Sequence, residues 1–226
     1  MICDVIIPAF NEEKSVSKVV EEISKDLVRH VIVVDNNSKD RTSETAKECG
    51  AIVLKEKRQG YGYACLKGMS WLREQEVKPE LIIFMDADYS DYPEEASKLI
   101  DKIDDGFDLV IGSRVIGKRE KGSLTPQQVF GNALATKLIK WFYSVSFTDL
   151  GPFRAIRWNV LEDLKMVDKT YGWTAEMQVK AAKNGYRCAE VAVNYRKRIG
   201  VSKVSGTLKG TVMAGYKILA TIFKYI

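Results

Sequence analysis

The sequence predicts an α/β protein built on a mostly parallel, Rossmann-like sheet. Three observations carry this. Short aliphatic runs recur through the first half: Val5-Ile6-Ile7, Val31-Ile32-Val33-Val34, Ile52-Val53-Leu54, Leu81-Ile82-Ile83-Phe84 and Leu109-Val110-Ile111. Each is short, β-branched or aliphatic, and closed by polar residues or glycine, as strands buried on both faces are. Helical patterns fill the intervals near residues 13–27, 41–49, 61–75 and 93–104, and such alternation argues for parallel strands joined by helices. Polar residues cluster directly after the runs, where open parallel sheets bind ligands.

After Gly112 the rhythm changes. Residues 115–125 are polar, basic and glycine-containing, which predicts a loop. Residues 126–143 read as an amphipathic helix with Val129, Phe130, Ala133, Leu134, Leu138 and Phe142 along one side. A turn at Gly151-Pro152, a helix near 173–184, a strand near 187–194 and a basic loop at 195–206 follow. The closing stretch reads as a helix with Leu208, Val212, Tyr216, Leu219, Phe223 and Ile226 on one face and Lys209, Lys217 and Lys224 beside it. The expected organisation is one domain, with a ligand-binding half at 1–114, a second half at 115–206 and an amphipathic helix at 207–226.

Composition narrows the class. The chain has 226 residues and a net charge of +5, enough to bury a full core but without the dense basic stripe of a nucleic-acid binder. Cys3, Cys49, Cys65 and Cys188 form no CxxC pair, so neither a zinc site nor a disulfide framework is expected, and a reduced, cytoplasmic setting is. Met1 leads straight into a strand-like run, with no signal-peptide pattern. No stretch is long and uncharged enough to span a bilayer. The sequence carries no signal for an oligomeric state.

The chemistry sits at the strand ends. Asp86-Ala87-Asp88 follows the fourth run. Two carboxylates around one small residue make a hard-oxygen site suited to Mg²⁺ or Mn²⁺, with phosphate oxygens and water completing the shell. Alone, the pattern is as well explained by a solvated acidic loop. It is accompanied by Pro8-Ala9-Phe10-Asn11-Glu12 after the first run, by Asp35 after the second, and by Gln59-Gly60-Tyr61-Gly62 after the third. A carboxylate such as Asp35 can accept hydrogen bonds from a base or ribose, and Gly60 would let backbone approach a ligand. Residues 38–42 also read as a turn and helix cap. His30 lies away from all these segments and reads as a surface residue. Trp71, Trp141 and Tyr216 read as packing residues.

Taken together and in this order, these segments resemble family 2 glycosyltransferases of the GT-A fold. The dolichyl-phosphate mannose synthases and bacterial polyprenyl-phosphate sugar transferases are the most similar group, and the resemblance covers nearly the whole chain. It implies a nucleotide shelf at Pro8, Phe10, Asn11, Glu12, Asp35 and Gly60. It implies donor contacts at Asp86, Ala87 and Arg114, the last from Gly112-Ser113-Arg114, and a divalent metal on Asp86 and Asp88. Thr148-Asp149-Leu150-Gly151-Pro152-Phe153-Arg154 and the closing Arg196, Gly200, Ser202 and Lys203 are similar to two further family segments. They imply diphosphate or acceptor contacts at Arg154, Arg196, Ser202 and Lys203, and a catalytic role for Arg114 and Asp149. Glu176 is the second candidate base, weighed evenly against an exposed helix carboxylate. Two departures stand out: Asp35-Asn36 where the mannose synthases carry Asp-Asp, and Ser90 where they often carry a metal-binding Gln.

The expectation is an inverting hexosyltransferase that takes a nucleotide-diphosphate sugar, of the GDP-mannose or UDP-glucose type, to a polyprenyl or dolichyl phosphate. The resemblance implies peripheral contact with the cytoplasmic membrane face through 126–143 and the final helix. A transferase onto a glycan or small-molecule hydroxyl is the second reading, and an inactive nucleotide-binding subunit the third. A lipid phosphate is already ionised near neutrality and needs positioning, whereas a hydroxyl needs a general base.

Overall fold

The computed structural model describes residues 1–200 and 208–226. The elements are β1 (Cys3–Ala9), α1 (Val16–Glu22), β2 (His30–Asp35), α2 (Thr42–Glu48), β3 (Ile52–Lys55), α3 (Tyr61–Glu74), β4 (Leu81–Phe84), α4 (Ala96–Asp104, after a 3-10 turn), β5 (Leu109–Ser113), α5 (Pro126–Tyr143), β6 (Arg154–Arg157), α6 (Trp158–Asp163), α7 (Trp173–Lys183), β7 (Cys188–Ala192) and α8 (Leu208–Lys224). The five aliphatic runs all became strands, and 115–125 is irregular as expected. The strands form one sheet in the order β3-β2-β1-β4-β6-β5-β7. Every pairing is parallel except those of β6, which runs antiparallel between β4 and β5.

Period-two alternation splits the core into two layers. Ile6, Ile32, Val34, Ile82, Phe84, Leu109 and Ile111 meet α3, α5, α7 and α8 on one face. Val5, Ile7, Val33, Leu81, Ile83 and Val110 meet α1, α2 and α4 on the other. The chain steps from β1 outward to β2 and β3, then returns to place β4 on the other side of β1. That reversal opens a crevice beyond the carboxyl ends of β1 and β4, the usual ligand position in such sheets.

The sequence missed β6 and α6. Arg154-Ala155-Ile156-Arg157 has only two apolar residues between arginines, too little to read as a central strand. The arginines are nevertheless part of the packing. Arg154 is fully buried. Its guanidinium donates to the carbonyls of Gly151 (3.1 Å from Nε), Leu150 (3.2 Å) and Thr174 (3.0 Å), and to Gln178 Oε1 (3.2 Å). Burial lowers its pKa to about 10. The expected acceptor or diphosphate contact at Arg154 is thus corrected: its donors are spent on the protein beneath the crevice.

The packing roles expected of Trp141 and Tyr216 need a second correction. α5 begins as its sequence promises, with Pro126 in the first turn and a reciprocal Thr125–Gln128 capping box. Its buried face, however, is Ala135, Thr136 and Ile139. The stripe that reads as apolar is divided: Phe130 is 72% exposed, while Leu138 and Phe142 pack against the core, and Trp141 beside them is 77% exposed. α8 likewise buries Thr221 and Ile222 and exposes Val212, Tyr216 (69%), Phe223 and Ile226. Trp141 and Tyr216 are therefore surface aromatics, while Trp71 does pack against the core.

Replacing Arg154 with Met would strand three buried carbonyls without donors. The expected loss is about 2–4 kcal/mol, or roughly 5–15 °C in melting temperature for a domain of this size. An unchanged melt would contradict the assignment of Arg154 to packing.

Candidate functional site

A cavity of about 460 Å³ lies over the crevice, lined by Pro8, Phe10, Glu12, Asn36, Gly60, Asp86, Ala87, Asp88 and Arg198 among others. Six of the expected shelf and donor residues, Pro8, Phe10, Glu12, Gly60, Asp86 and Ala87, therefore face it. Asn11 and Asp35 are not among its lining. Asn11 sits in the left-handed region (φ 54°), where Asn is tolerated because its side chain bonds locally. Its Oδ1 accepts from Lys39 N–H at 2.8 Å, and its own N–H donates to Ser38 Oγ at 2.9 Å. Asp35 accepts from Ser38 N–H (2.9 Å) and Ser43 Oγ (2.6 Å). Asn11 thus ties the two loops together, and Asp35 braces the turn at residues 38–43.

The residue that reaches the cavity is the next one. Asn36 Nδ2 donates to the carbonyls of Arg58 (2.7 Å) and Glu56 (3.2 Å), and Oδ1 accepts from Gly60 N–H (2.7 Å). Asn36 thereby shapes the cavity wall with both ends of its amide. Gly60 lines the cavity, but its missing side chain serves a different approach. A β-carbon there would collide with the Lys169 carbonyl, and one at Gly62 with the Asp168 carbonyl. The glycines admit the 168–169 segment.

Asp86 and Asp88 form the acidic centre. Burial first, and the adjacent Asp88 charge second, raise the Asp86 carboxyl to about 7. Asp88 Oδ1 accepts from the Ser90 N–H at 2.9 Å and from the Ser90 hydroxyl. Ser90 thus orients a carboxylate where the resembled group often places another metal ligand. Among the described residues, no three His, Cys, Asp or Glu side chains converge to hold a metal by themselves. Two carboxylates with a diphosphate supplying further oxygens suit Mg²⁺ or Mn²⁺, which keep waters and phosphate ligands. The site attracts positive charge: Arg198 bridges Glu12 Oε1 (3.0 Å) and Asp88 Oδ2 (3.1 Å). Asp91 lies buried nearby with neither carboxylate oxygen hydrogen-bonded. Burial, then the Asp86 and Asp88 charges, push its carboxyl well above the ordinary range.

A second cavity, about 330 Å³, adjoins the first and shares Tyr61, Asp86, Asp88, Thr170, Tyr171 and Arg198 with it. Arg114 forms part of its wall. The guanidinium meets Asp149 through Nε (2.7 Å) and Nη2 (2.6 Å), while the Arg114 N–H donates to the same carboxylate at 2.8 Å. The guanidinium also stacks over Tyr195, 5.0 Å from the ring centre. Burial opposes the Arg114 charge, but Asp149 more than offsets it and holds the guanidinium above its ordinary value.

Asp149 is therefore fully buried and occupied in holding Arg114, not exposed as a free base. Glu176 is buried as well. It accepts from Asp168 N–H (2.7 Å) and the Tyr225 hydroxyl (2.7 Å) and pairs with Lys180 (2.8 Å). Both expected readings of Glu176, acceptor-side acid and exposed carboxylate, give way to a buried tie between α7, the loop before it and α8. Arg196 is corrected too. It lies between the rings of Tyr89 (3.3 Å to the centre) and Tyr92 (4.2 Å), and bonds Tyr89 O and Glu22. The cation facing the crevice is Arg198, two residues on. The run Tyr195-Arg196-Lys197-Arg198 contains the signal, but the family register pointed to the first arginine. Ser202 and Lys203 lie outside the described residues.

Residues 4–165 match the family described as Glycosyl transferase family 2. The chain belongs to this family. A polyprenol monophosphomannose synthase of Mycolicibacterium smegmatis is 32% identical over 216 residues, 90% of this chain and 81% of the relative. A dolichyl-phosphate hexose transferase of Haloferax volcanii is 32% identical over 207 residues, 88% of this chain and 85% of the relative. Among solved structures, a glucosyl-3-phosphoglycerate synthase of Mycobacterium tuberculosis superposes with a TM-score of 0.77 at 20% identity, covering 99% of this chain and 78% of that one. The chain is thus a family 2 glycosyltransferase with the GT-A fold expected from its sequence.

The raised Asp86 pKa sets a stability test. Its ordinary value is 3.8 and its folded value about 7, so the folded protein keeps a proton that the unfolded chain releases. Stability therefore falls as pH rises between these values, and above about 7 the whole penalty is present. The penalty is at most on the order of 4 kcal/mol. Without divalent metal, Asp86→Asn is expected to raise the melting temperature at pH 8 and to bring little change near pH 4. A variant less stable than the parent at pH 8 would contradict the carboxylate repulsion.

Proposed function

We propose that the protein transfers a hexose, with inversion, from a nucleotide-diphosphate sugar of the GDP-mannose or UDP-glucose type to a polyprenyl or dolichyl phosphate. One observation carries the acceptor choice. The central cavity continues into an apolar groove of about 590 Å³ between α5 and α8, through the shared residues Gln127, Gly131, Gly215 and Ile218. An anionic head near Arg114 and a hydrocarbon chain in this groove fit one amphiphilic acceptor. Two relatives whose names specify lipid-phosphate hexose transfer support it.

The chemistry agrees with the residues available. Among the described residues, the carboxylates lining the central cavity are Asp86 and Asp88, and Asp149 and Glu176 are engaged elsewhere. A phosphate acceptor needs no base to remove a proton, only orientation against the anomeric carbon. Arg114, fixed in advance by Asp149, supplies positive charge where the phosphates meet. Arg198 can release Glu12 and Asp88 to contact the donor. Asp86 and Asp88 would hold Mg²⁺ or Mn²⁺, which neutralises charge on the departing diphosphate when bound. The neighbouring structure in complex with Mn²⁺ and UDP supports this use of the crevice.

The proposed division of labour keeps residues 1–114 for the donor, 115–206 for the acceptor and 207–226 for the lipid surface. No helix among the described residues is long and apolar enough to cross a membrane. Phe130, Trp141, Val212, Tyr216 and Phe223 are exposed on the same two helices, with Lys137, Lys140 and Lys224 among them. Aromatics and lysines in this arrangement suit an interfacial helix pair at the cytoplasmic face of an anionic membrane.

With Mn²⁺ and a short polyprenyl phosphate, one of UDP-glucose and GDP-mannose is expected to yield a hexosyl-phosphoryl lipid, and EDTA to abolish it. Asp86→Ala or Asp88→Ala is expected to lower kcat by several orders of magnitude, each ~1.4 kcal/mol of lost stabilisation being tenfold. Full activity in EDTA would remove the metal from the mechanism. Phe130→Ser with Tyr216→Ser is expected to weaken cosedimentation with anionic vesicles by at least ~10-fold, with little change in melting. Unchanged vesicle binding would sink the membrane reading and leave the transferase intact.

A further inference from the structure

Among the described residues, one buried donor in the central cavity has no partner, and a second has only the Asp86 carboxylate beside it. Trp173 is 1% exposed, yet its indole Nε1–H meets no acceptor among the described residues. The Tyr61 hydroxyl is buried beside the Asp86 carboxylate, and no further hydrogen-bond partner is present among the described residues. Buried N–H and O–H groups are almost always paired, and an unpaired one is strongly unfavourable. An apolar side chain at Trp173 would pack against Phe84 without the orphan, so packing alone leaves the indole N–H unexplained.

Their location points to a ligand. Both residues line the cavity that also contains Asp86 and Arg114. Trp173 opens α7 and packs edge-on against Phe84, 5.9 Å between ring centres. Phe84 ends β4, two residues before Asp86. Tyr61 opens α3 and faces both the nucleotide cavity and the central cavity.

We propose that Trp173 Nε1–H and the Tyr61 hydroxyl form the hexose-recognition contacts of this enzyme, donating to hydroxyl oxygens of the donor sugar. The proposal rests on the nucleotide-sugar reading above. The two groups are neutral donors, suited to sugar hydroxyls, whereas the cations Arg114 and Arg198 are suited to phosphates. Tyr61 lies at the seam of the two cavities, where a sugar attached to a diphosphate must sit. A site built to hydrogen-bond a hydroxyl rejects an analogue lacking it far more strongly than an apolar pocket rejects a change of size. These two residues would therefore set which hexose is accepted.

The test uses Tyr61→Phe, which removes only the hydroxyl, and Trp173→Phe, which removes the indole N–H together with one ring. Affinities for UDP, UDP-glucose, GDP and GDP-mannose are measured by calorimetry with Mn²⁺ and no acceptor. Each variant is expected to weaken the preferred nucleotide sugar roughly five- to tenfold while its parent diphosphate stays within about twofold. A series of deoxy-sugar donors is expected to contain one analogue that wild type and Trp173→Phe bind equally, which identifies the contacted hydroxyl. The ratio of sugar to diphosphate affinity stays readable even if a variant melts earlier, because both ligands report on folded protein. Parallel changes for sugar and diphosphate would overturn the proposal. So would an effect confined to the KM of a polyprenyl-phosphate acceptor, which would assign the donors to the acceptor instead. Wild type that bound neither nucleotide sugar would overturn the donor reading itself, and this subsite with it.

Discussion

The buried ion pair between Arg114 and Asp149 is the interaction on which the site depends. Two parallel contacts and a backbone N–H fix the guanidinium, a geometry that only arginine and a carboxylate make. The carboxylate is held in turn. Glu190 of β7 accepts from the Thr148 and Asp149 N–H groups, Asn132 of α5 grips the turn on both sides, and Gln178 of α7 donates to the Asp149 carbonyl. Arg154 takes the remaining carbonyls from below. One short turn thereby joins the end of β5 to β6, β7, α5 and α7, and Arg114 enters the cavity already ordered. Such preorganisation is what lets a fixed charge act on a forming negative charge without rearrangement.

The opposite wall works through repulsion. Asp86, Asp88 and Asp91 crowd the end of β4, and burial together with mutual charge raises Asp86 and Asp91. Stability is given up there for an affinity toward cations. Arg198 meets part of that demand in the free protein by spanning Glu12 and Asp88. Residues in the left-handed backbone region, Asn11, Asn37 and Tyr89, follow β1, β2 and β4 around the same crevice. Strain and uncompensated charge thus concentrate where the sheet changes direction, the pattern expected at a functional site.

Much of this was legible in the sequence, and the failures have common causes. The five aliphatic strands, α5 and the acidic pair could be read because period and composition act locally. β6 could not, because a strand held by buried arginines lacks an apolar signature. The roles of Asp35, Asp149, Glu176, Arg154 and Arg196 were misjudged for one reason: a motif names residues near a site, while hydrogen bonds decide which of them face it. Asn36 and Arg198, one and two positions away, are the side chains that reach the cavity. The amphipathic stripes of α5 and α8 were found from their period, but Trp141 and Tyr216 were read as packing residues and are exposed, since periodicity shows that a face is apolar and not what covers it.

The groove between α5 and α8 draws these features together. Gly131 and Gly215 line it, and a β-carbon on either would enter open space. Glycine inside a helix is destabilising by about 1 kcal/mol relative to alanine, so packing does not favour it at these positions. Under the proposed function, space for the acceptor's hydrocarbon chain does. The most direct test is the dependence of acceptor kcat/KM on isoprenoid length, measured from short to long polyprenyl phosphates beside 3-phosphoglycerate. The expected result is a rise with each added unit that levels off once the groove is filled, flattened by Gly131→Leu, and no product from 3-phosphoglycerate. Equal rates at every length, or preference for 3-phosphoglycerate, would contradict a lipid-phosphate acceptor.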